Sequence, residues 1–231
     1  MPTPRVVMVA HGTRRHEGNK FARRLTERAV TLLDVPAKAA FVELADPLVA
    51  DVMAGLPPDH GAVAVVPLLL STGCHVRRDL PVACAGAPRA IDVTVGQPLG
   101  PEPALARALS DRLDEAGARP GQPVVLIAAG STDPRAEVDL AEAADHLAAE
   151  REVEVRVATL GGRGRRPAEV VRPGDAVAPY LLSTGLFSRR CDEEARNSGA
   201  TIVGDVLGTH DGVVDLVVAR ARALLASGTI D

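Results

Sequence analysis

The sequence predicts an α/β protein built from two tandem copies of one doubly wound unit. Three observations predict it. Short strands of Val, Ile and Ala alternate with longer charge-bearing segments, as right-handed βαβ crossovers require. The strands are apolar at nearly every position, which suits a parallel sheet covered on both faces. The pattern also occurs twice. Gly12 in "VVMVAHGTR" matches Gly130 in "VVLIAAGSTDPR", "VVPLLLSTG" at 65–73 matches "VAPYLLSTG" at 177–185, and Gly100 matches Gly208. The offset falls from 118 to 112 to 108 along the chain, as shorter loops in the second copy would produce.

In order, strands are expected at 5–10, 38–44, 62–68 and 91–95, and helices near 17–33, 47–55, 76–86 and 102–117. The second copy repeats the series, with strands at 123–128, 153–159, 175–181 and 200–204. Its helices fall near 134–150, 164–171, 187–198 and 210–226. The Gly- and Pro-bearing stretch "DEAGARPGQP" divides a first half, 1–117, from a second, 123–231.

Composition narrows the function. Of 231 residues 46% are apolar and only 2% aromatic, so Val, Ala and Leu must build the core. A net charge of −4 argues for neither nucleic acid nor an anionic membrane. No apolar run reaches the ~18–20 residues of a membrane span, and the N-terminus lacks a secretory pattern. Cys74, Cys84 and Cys191 show no CxxC spacing. A reducing cytoplasm is expected, with no disulfide framework and no iron–sulfur cluster. Neither a dinucleotide-binding fingerprint nor a P-loop occurs, so no ATP is expected.

In open parallel sheets ligands gather outside the carboxyl ends of the strands. Three such ends in the first half carry metal-competent groups: His11, Glu43 in "FVELADP", and His75 in "STGCHVRRDLP". Two imidazoles and a carboxylate can hold a divalent transition metal with positions left open, and neutral imidazole also accepts protons. Taken singly, each residue fits a capped or solvated structural role. The second copy acts as an internal control. Ala129 stands for His11, Phe187 for His75, and a position near Thr159 for Glu43, so all three candidates vanish together while the scaffold persists. One site per chain follows.

The segments "VVMVAHGTR", "FVELADP" and "VVPLLLSTGCHVRRDLP", followed by "GQPLGPEPAL", resemble the sirohydrochlorin chelatases and cobaltochelatases, class II enzymes that work without ATP. The resemblance implies two flavodoxin-like halves facing across a cleft, the second covering the site of the first. It implies a catalytic metal site at His11, Glu43 and His75, with Leu70, Ser71, Thr72, Gly73 and Cys74 lining the tetrapyrrole site. The metal, Fe²⁺, Co²⁺ or Ni²⁺, is a substrate, and the partner is an acidic tetrapyrrole such as sirohydrochlorin, for siroheme or cobalamin synthesis. Arg14, Arg77 and Arg78 become candidate clamps for its carboxylates, although each equally fits a solvated helix-start charge. Leu68, Leu69 and Leu70 are divided between ring wall and core. Glu102 departs from the family's "LGxHP" motif, which only the second copy partly keeps, at His210. A monomer with an internal pseudo-dimer is expected. A metal or tetrapyrrole carrier without turnover is the alternative.

Overall fold

The computed structural model describes residues 5–73 and 78–227. The first sheet comprises β1 (Val6–Ala10), β2 (Ala37–Phe41), β3 (Ala62–Pro67) and β4 (Asp92–Val95). The second comprises β5 (Val124–Ala128), β6 (Val155–Thr159), β7 (Ala176–Tyr180) and β8 (Ile202–Val203). All pairings are parallel, and the strand orders are β2-β1-β3-β4 and β6-β5-β7-β8. The order reverses beside β1 in one sheet and β5 in the other. Those reversals are the switch points where open α/β sheets bind ligands.

The helices are α1 (His16–Leu33), α2 (Val49–Ala54), α3 (Leu80–Cys84), α4 (Pro103–Glu115), α5 (Pro134–Arg151), α6 (Pro167–Val170), α7 (Leu186–Asn197) and α8 (Asp211–Ser227). α4, α5 and α6 open on proline, whose missing N–H costs nothing in the first turn. Asp133 caps α5 by accepting from the Arg135 amide at 3.0 Å.

Val6, Val7, Met8 and Val9 are all fully buried, so both faces of the first sheet are covered. α1 packs against β1 and β2 and buries Ala22, Leu25, Ala29 and Leu33 on one stripe. Val49, Val52, Met53, Leu80 and Cys84 cover Val7, Val9, Val63 and Val65 on the opposite face. Val125, Ile127, Val170, Val177, Cys191 and Ala195 rebuild that layer in the second copy. Truncating such a residue as Leu25 to Ala costs ~2–5 kcal/mol.

The compact units do not follow the repeat boundary. One comprises Met1–Leu99 with Val214–Asp231, the other Gly100–Val213. The last helix of each repeat is thus counted with the other repeat's sheet. α4 packs on α5 and β7. In the first unit, Arg222 of α8 donates to the Leu32 carbonyl at 2.6 Å, and Leu224 fills the space beside Gly96. Repeat periodicity marks each helix but is silent on which sheet receives it.

Candidate functional site

β2 ends at Phe41, three residues short of the expected 44, so Glu43 lies two residues past the strand rather than at its end. Backbone bonds hold it in register: Val42 N donates to Ala10 O at 2.9 Å, and Glu43 N to His11 O at 3.0 Å. This stapling requires the glycine between. Gly12 has φ +96°, and a Cβ there would lie 1.8 Å from the Glu43 carbonyl oxygen. Only glycine lets the loop after β1 run so close to the loop after β2. Asn19 of α1 clamps the same loop, accepting from Thr13 N at 3.0 Å and donating to Thr13 O at 2.7 Å.

The loop geometry sets the imidazole. His11 Nδ1 stands 3.1 Å from the Gly12 carbonyl, which can only accept, a contact that suits the tautomer with its proton on Nδ1. In that tautomer Nε2 turns its lone pair toward Glu43 Oε1, 3.5 Å away. Two electron-pair donors facing each other call for a cation or proton between them. Donors each about 2.1 Å from a tetrahedral ion stand roughly 3.4 Å apart, close to the separation here. The side chains are 41% and 51% exposed, so the pair opens to solvent as an exchangeable site must.

No third metal-competent side chain joins this pair among the described residues. His75, with Cys74 and Arg77, lies outside them. Leu70, Ser71, Thr72 and Gly73 are half-buried on the way to that segment, and Arg14 and Arg78 are exposed. Leu68 is 2% exposed and belongs to the core. Glu102 sits at the N-cap of α4. At its repeat-equivalent, His210 Nδ1 accepts from Gly212 N at 3.1 Å, and Nε2 lies 3.1 Å from Asp111. His146 pairs with Glu142 along α5. Burial pushes the Cys84 thiol up to about 11 and Cys191, helped by Asp192 and Glu194, to about 12, so both stay protonated.

The second copy shows the same staple without the chemistry. Leu160 N donates to Ala128 O at 2.9 Å, the counterpart of Val42 to Ala10. Thr159 therefore corresponds to Phe41, and the position facing Glu43 is Gly161, two residues beyond the one expected. A Cβ on Gly130 would lie 2.0 Å from the Gly161 carbonyl, repeating the close approach at Gly12. Phe187, in place of His75, is 43% exposed, and Leu186 beside it 55%. A cavity of about 680 Å³ lies at the carboxyl ends of β7 and β8, between Arg112 and Glu115 of α4 and Ser188, Arg189 and Asp192 of α7.

The CbiX family model matches this chain twice, over residues 5–116 and 123–224. The protein belongs to the CbiX family. The two CbiX segments coincide with the sequence repeat. Sirohydrochlorin ferrochelatase from Priestia megaterium is 29% identical over 242 residues, covering 96% of this chain and 91% of that one. The sirohydrochlorin ferrochelatase of Bacillus subtilis (strain 168) is 27% identical over 240 residues, covering 96% and 92%. Among solved structures, SirB from Bacillus subtilis with Fe³⁺ aligns at TM-score 0.84 and 26% identity over 98% of both chains. A CbiX described as the terminal enzyme of siroheme biosynthesis in denitrifying bacteria shares the fold, at TM-score 0.71 and 20% identity over 94% of this chain and 98% of that one.

Proposed function

We propose that this CbiX protein inserts a divalent metal, Fe²⁺ or Co²⁺, into sirohydrochlorin or a related acidic tetrapyrrole. The carrying observation is His11 Nε2 facing Glu43 Oε1 at 3.5 Å, beside a sheet's switch point. Family membership and the two curated ferrochelatase relatives support the choice of reaction.

Insertion replaces two pyrrolic protons with one M²⁺. His11 and Glu43 hold the ion, and His75 is the proposed second nitrogen ligand. As the metal passes to the ring nitrogens, the His11 lone pair is freed and takes a pyrrolic proton. Glu43 takes the other. Of the three donors released, His11 and Glu43 thus take the two protons displaced, and the exposure of both side chains lets water carry the protons off. The Nδ1–H bond to Gly12 holds the ring so that Nε2 alone does this work. Because the exchange is driven by ligand substitution, ATP has no step to serve, and no iron–sulfur cluster is invoked. A single chain working in the cytoplasm suffices.

Anaerobic incubation of purified protein with sirohydrochlorin and Co²⁺ or Fe²⁺, followed by absorbance, tests this reading. Insertion well above the spontaneous rate is expected. Tight binding of tetrapyrrole or metal with only the spontaneous rate would overturn it in favour of a carrier.

A further inference from the structure

Leu44, the residue after Glu43, stands in a left-handed backbone conformation with φ +62°. Among the described residues two other non-glycines do so, Asp34 and Glu152. Both are C-caps, of α1 and α5, where a left-handed residue is ordinary. Leu44 ends no helix. It is 46% exposed, so core packing does not offset the crowding of a left-handed leucine against its own backbone.

The second copy adopts the same backbone without that crowding. The offset of 118 takes Leu44 to Gly162, whose φ is +61°. The turns around the two residues match as well: Phe41 N donates to Pro47 O at 3.0 Å, and Thr159 N to Arg165 O at 2.8 Å. What differs is the side chain, and with it how the loops meet. A Cβ on Gly162 would lie 2.3 Å from the Ser131 carbonyl oxygen, so the second copy's loops close only on glycine. Arg163 N then donates to Ser131 O at 2.8 Å. In the first copy Thr13 stands in place of Ser131, and no bond joins Ala45 N to Thr13 O among the described residues. Asn19 Nδ2 takes that carbonyl instead, at 2.7 Å.

We propose that Leu44 is a positioning residue for the metal pair: its Cβ props the Glu43 loop away from Thr13. The two loops stay bonded from Glu43 N to His11 O at 3.0 Å and part immediately beyond, which leaves the space between the two side chains open to an ion. The role rests on the proposed reading of His11 and Glu43 as metal ligands. Leu44 acts through the backbone of its neighbour, and any residue with a Cβ at this φ would hold the loops apart. The second copy, with no ligands to hold, has the glycine that lets its loops close.

The test compares full-chain Leu44→Gly, Leu44→Ala and Leu44→Asn with wild type. It reads Kd for Co²⁺, the Co²⁺ absorption spectrum and hydrogen exchange at the Ala45 amide. Leu44→Gly should let the first copy's loops close, so exchange at Ala45 should slow roughly tenfold as its amide bonds Thr13 O. Kd for Co²⁺ should rise roughly tenfold, the scale of a lost supporting contact, and the spectrum of bound Co²⁺ should shift. The thermal midpoint should not fall, since glycine is unstrained at this φ. Leu44→Ala and Leu44→Asn keep the Cβ and should bind Co²⁺ within about twofold of wild type, with its spectrum. Unchanged Co²⁺ binding in Leu44→Gly, or exchange at Ala45 that is unchanged or faster, would overturn the spacer. An equal loss of Co²⁺ binding in Leu44→Asn would also overturn it, since the Cβ would not then be what matters. Wild type binding Co²⁺ no more tightly than His11→Ala would instead overturn the metal pair, while exchange at Ala45 still decides whether Leu44 holds the loops apart.

Discussion

The loops after β1 and β5 share one backbone and differ in what it presents. Each leaves the middle of a four-stranded sheet, turns on a glycine with φ near +90°, and passes against the next loop too closely for a Cβ. Thr13 Oγ accepts from Arg15 N in one, and Ser131 Oγ from Asp133 N in the other. Yet the first offers His11 and Glu43, the second Ala129 and Gly161. Glycines, staples and hydroxyls are therefore what the fold needs. The imidazole and carboxylate are additional to it, and their chemistry has to be explained by function.

The sharpest test of that contrast is to make the first loop like the second. His11→Ala should lower kcat/KM for metal insertion by about a thousandfold, the scale of a lost base that is also a ligand. Its thermal midpoint should stay within about 2 °C, because alanine already occupies the matching position in the second copy. Retained turnover would remove His11 from the mechanism.

A second contrast concerns stability. Arg156 Nη2 meets Asp175 at 2.7 Å, their side chains 14% and 5% exposed, and Asp175 also accepts from Arg172 N at 2.6 Å. The matching residues of the first copy are exposed Lys38 and buried Val63. Asp175→Val would leave the buried Arg156 guanidinium with only Glu154, at 3.8 Å, and the Val170 carbonyl, and cost about 3 kcal/mol in urea unfolding, with much of it recovered by adding Arg156→Leu. A loss below about 1 kcal/mol would show that the pair is dispensable.

Glu43→Gly gives the site the residue found at 161. Insertion should slow by roughly tenfold while Co²⁺ still binds through the remaining ligands, since one of several donors is lost. If Co²⁺ titration and turnover both match wild type, Glu43 is neither ligand nor relay.

Much of this was legible in the residues. Strands buried on both faces have no polar positions to confuse the pattern, and helices opening on Pro103, Pro134 and Pro167 mark their own starts, so most elements fall within two residues of expectation. Thr159 was the wrong partner for Glu43: the offset of 118 between Gly12 and Gly130 persists through β2 and β6, and carrying it forward takes Glu43 to 161. Two backbone hydrogen bonds resolve it to Gly161. The stretch at 164–171 has helical composition, but Gly162 and Gly164 in left-handed conformations hold its arginines in a turn, and α6 begins only at Pro167. Phe187, 43% exposed, lies outside the core of the second copy. The transfer of α4 and α8 between units leaves no trace in local sequence, because an amphipathic stripe does not name its partner.

The smallest expected effect concerns the two helix starts that the repeat places in register, Glu102 before α4 and His210 before α8. The histidine has the look of a family motif, which invites a substrate role. Its geometry supports a different one. Nδ1 accepts from Gly212 N at 3.1 Å, satisfying one of the unpaired amides at the start of α8, while Nε2 reaches Asp111 at 3.1 Å. Glu102 makes no such side-chain cap. His210→Ala should therefore cost about 1 kcal/mol of stability, the worth of a cap. Glu102→Ala should cost less than about half of that, and both should leave KM for sirohydrochlorin unchanged. A rise in KM for His210→Ala without a fall in thermal midpoint would reverse the assignment, making His210 a substrate contact and its cap geometry incidental.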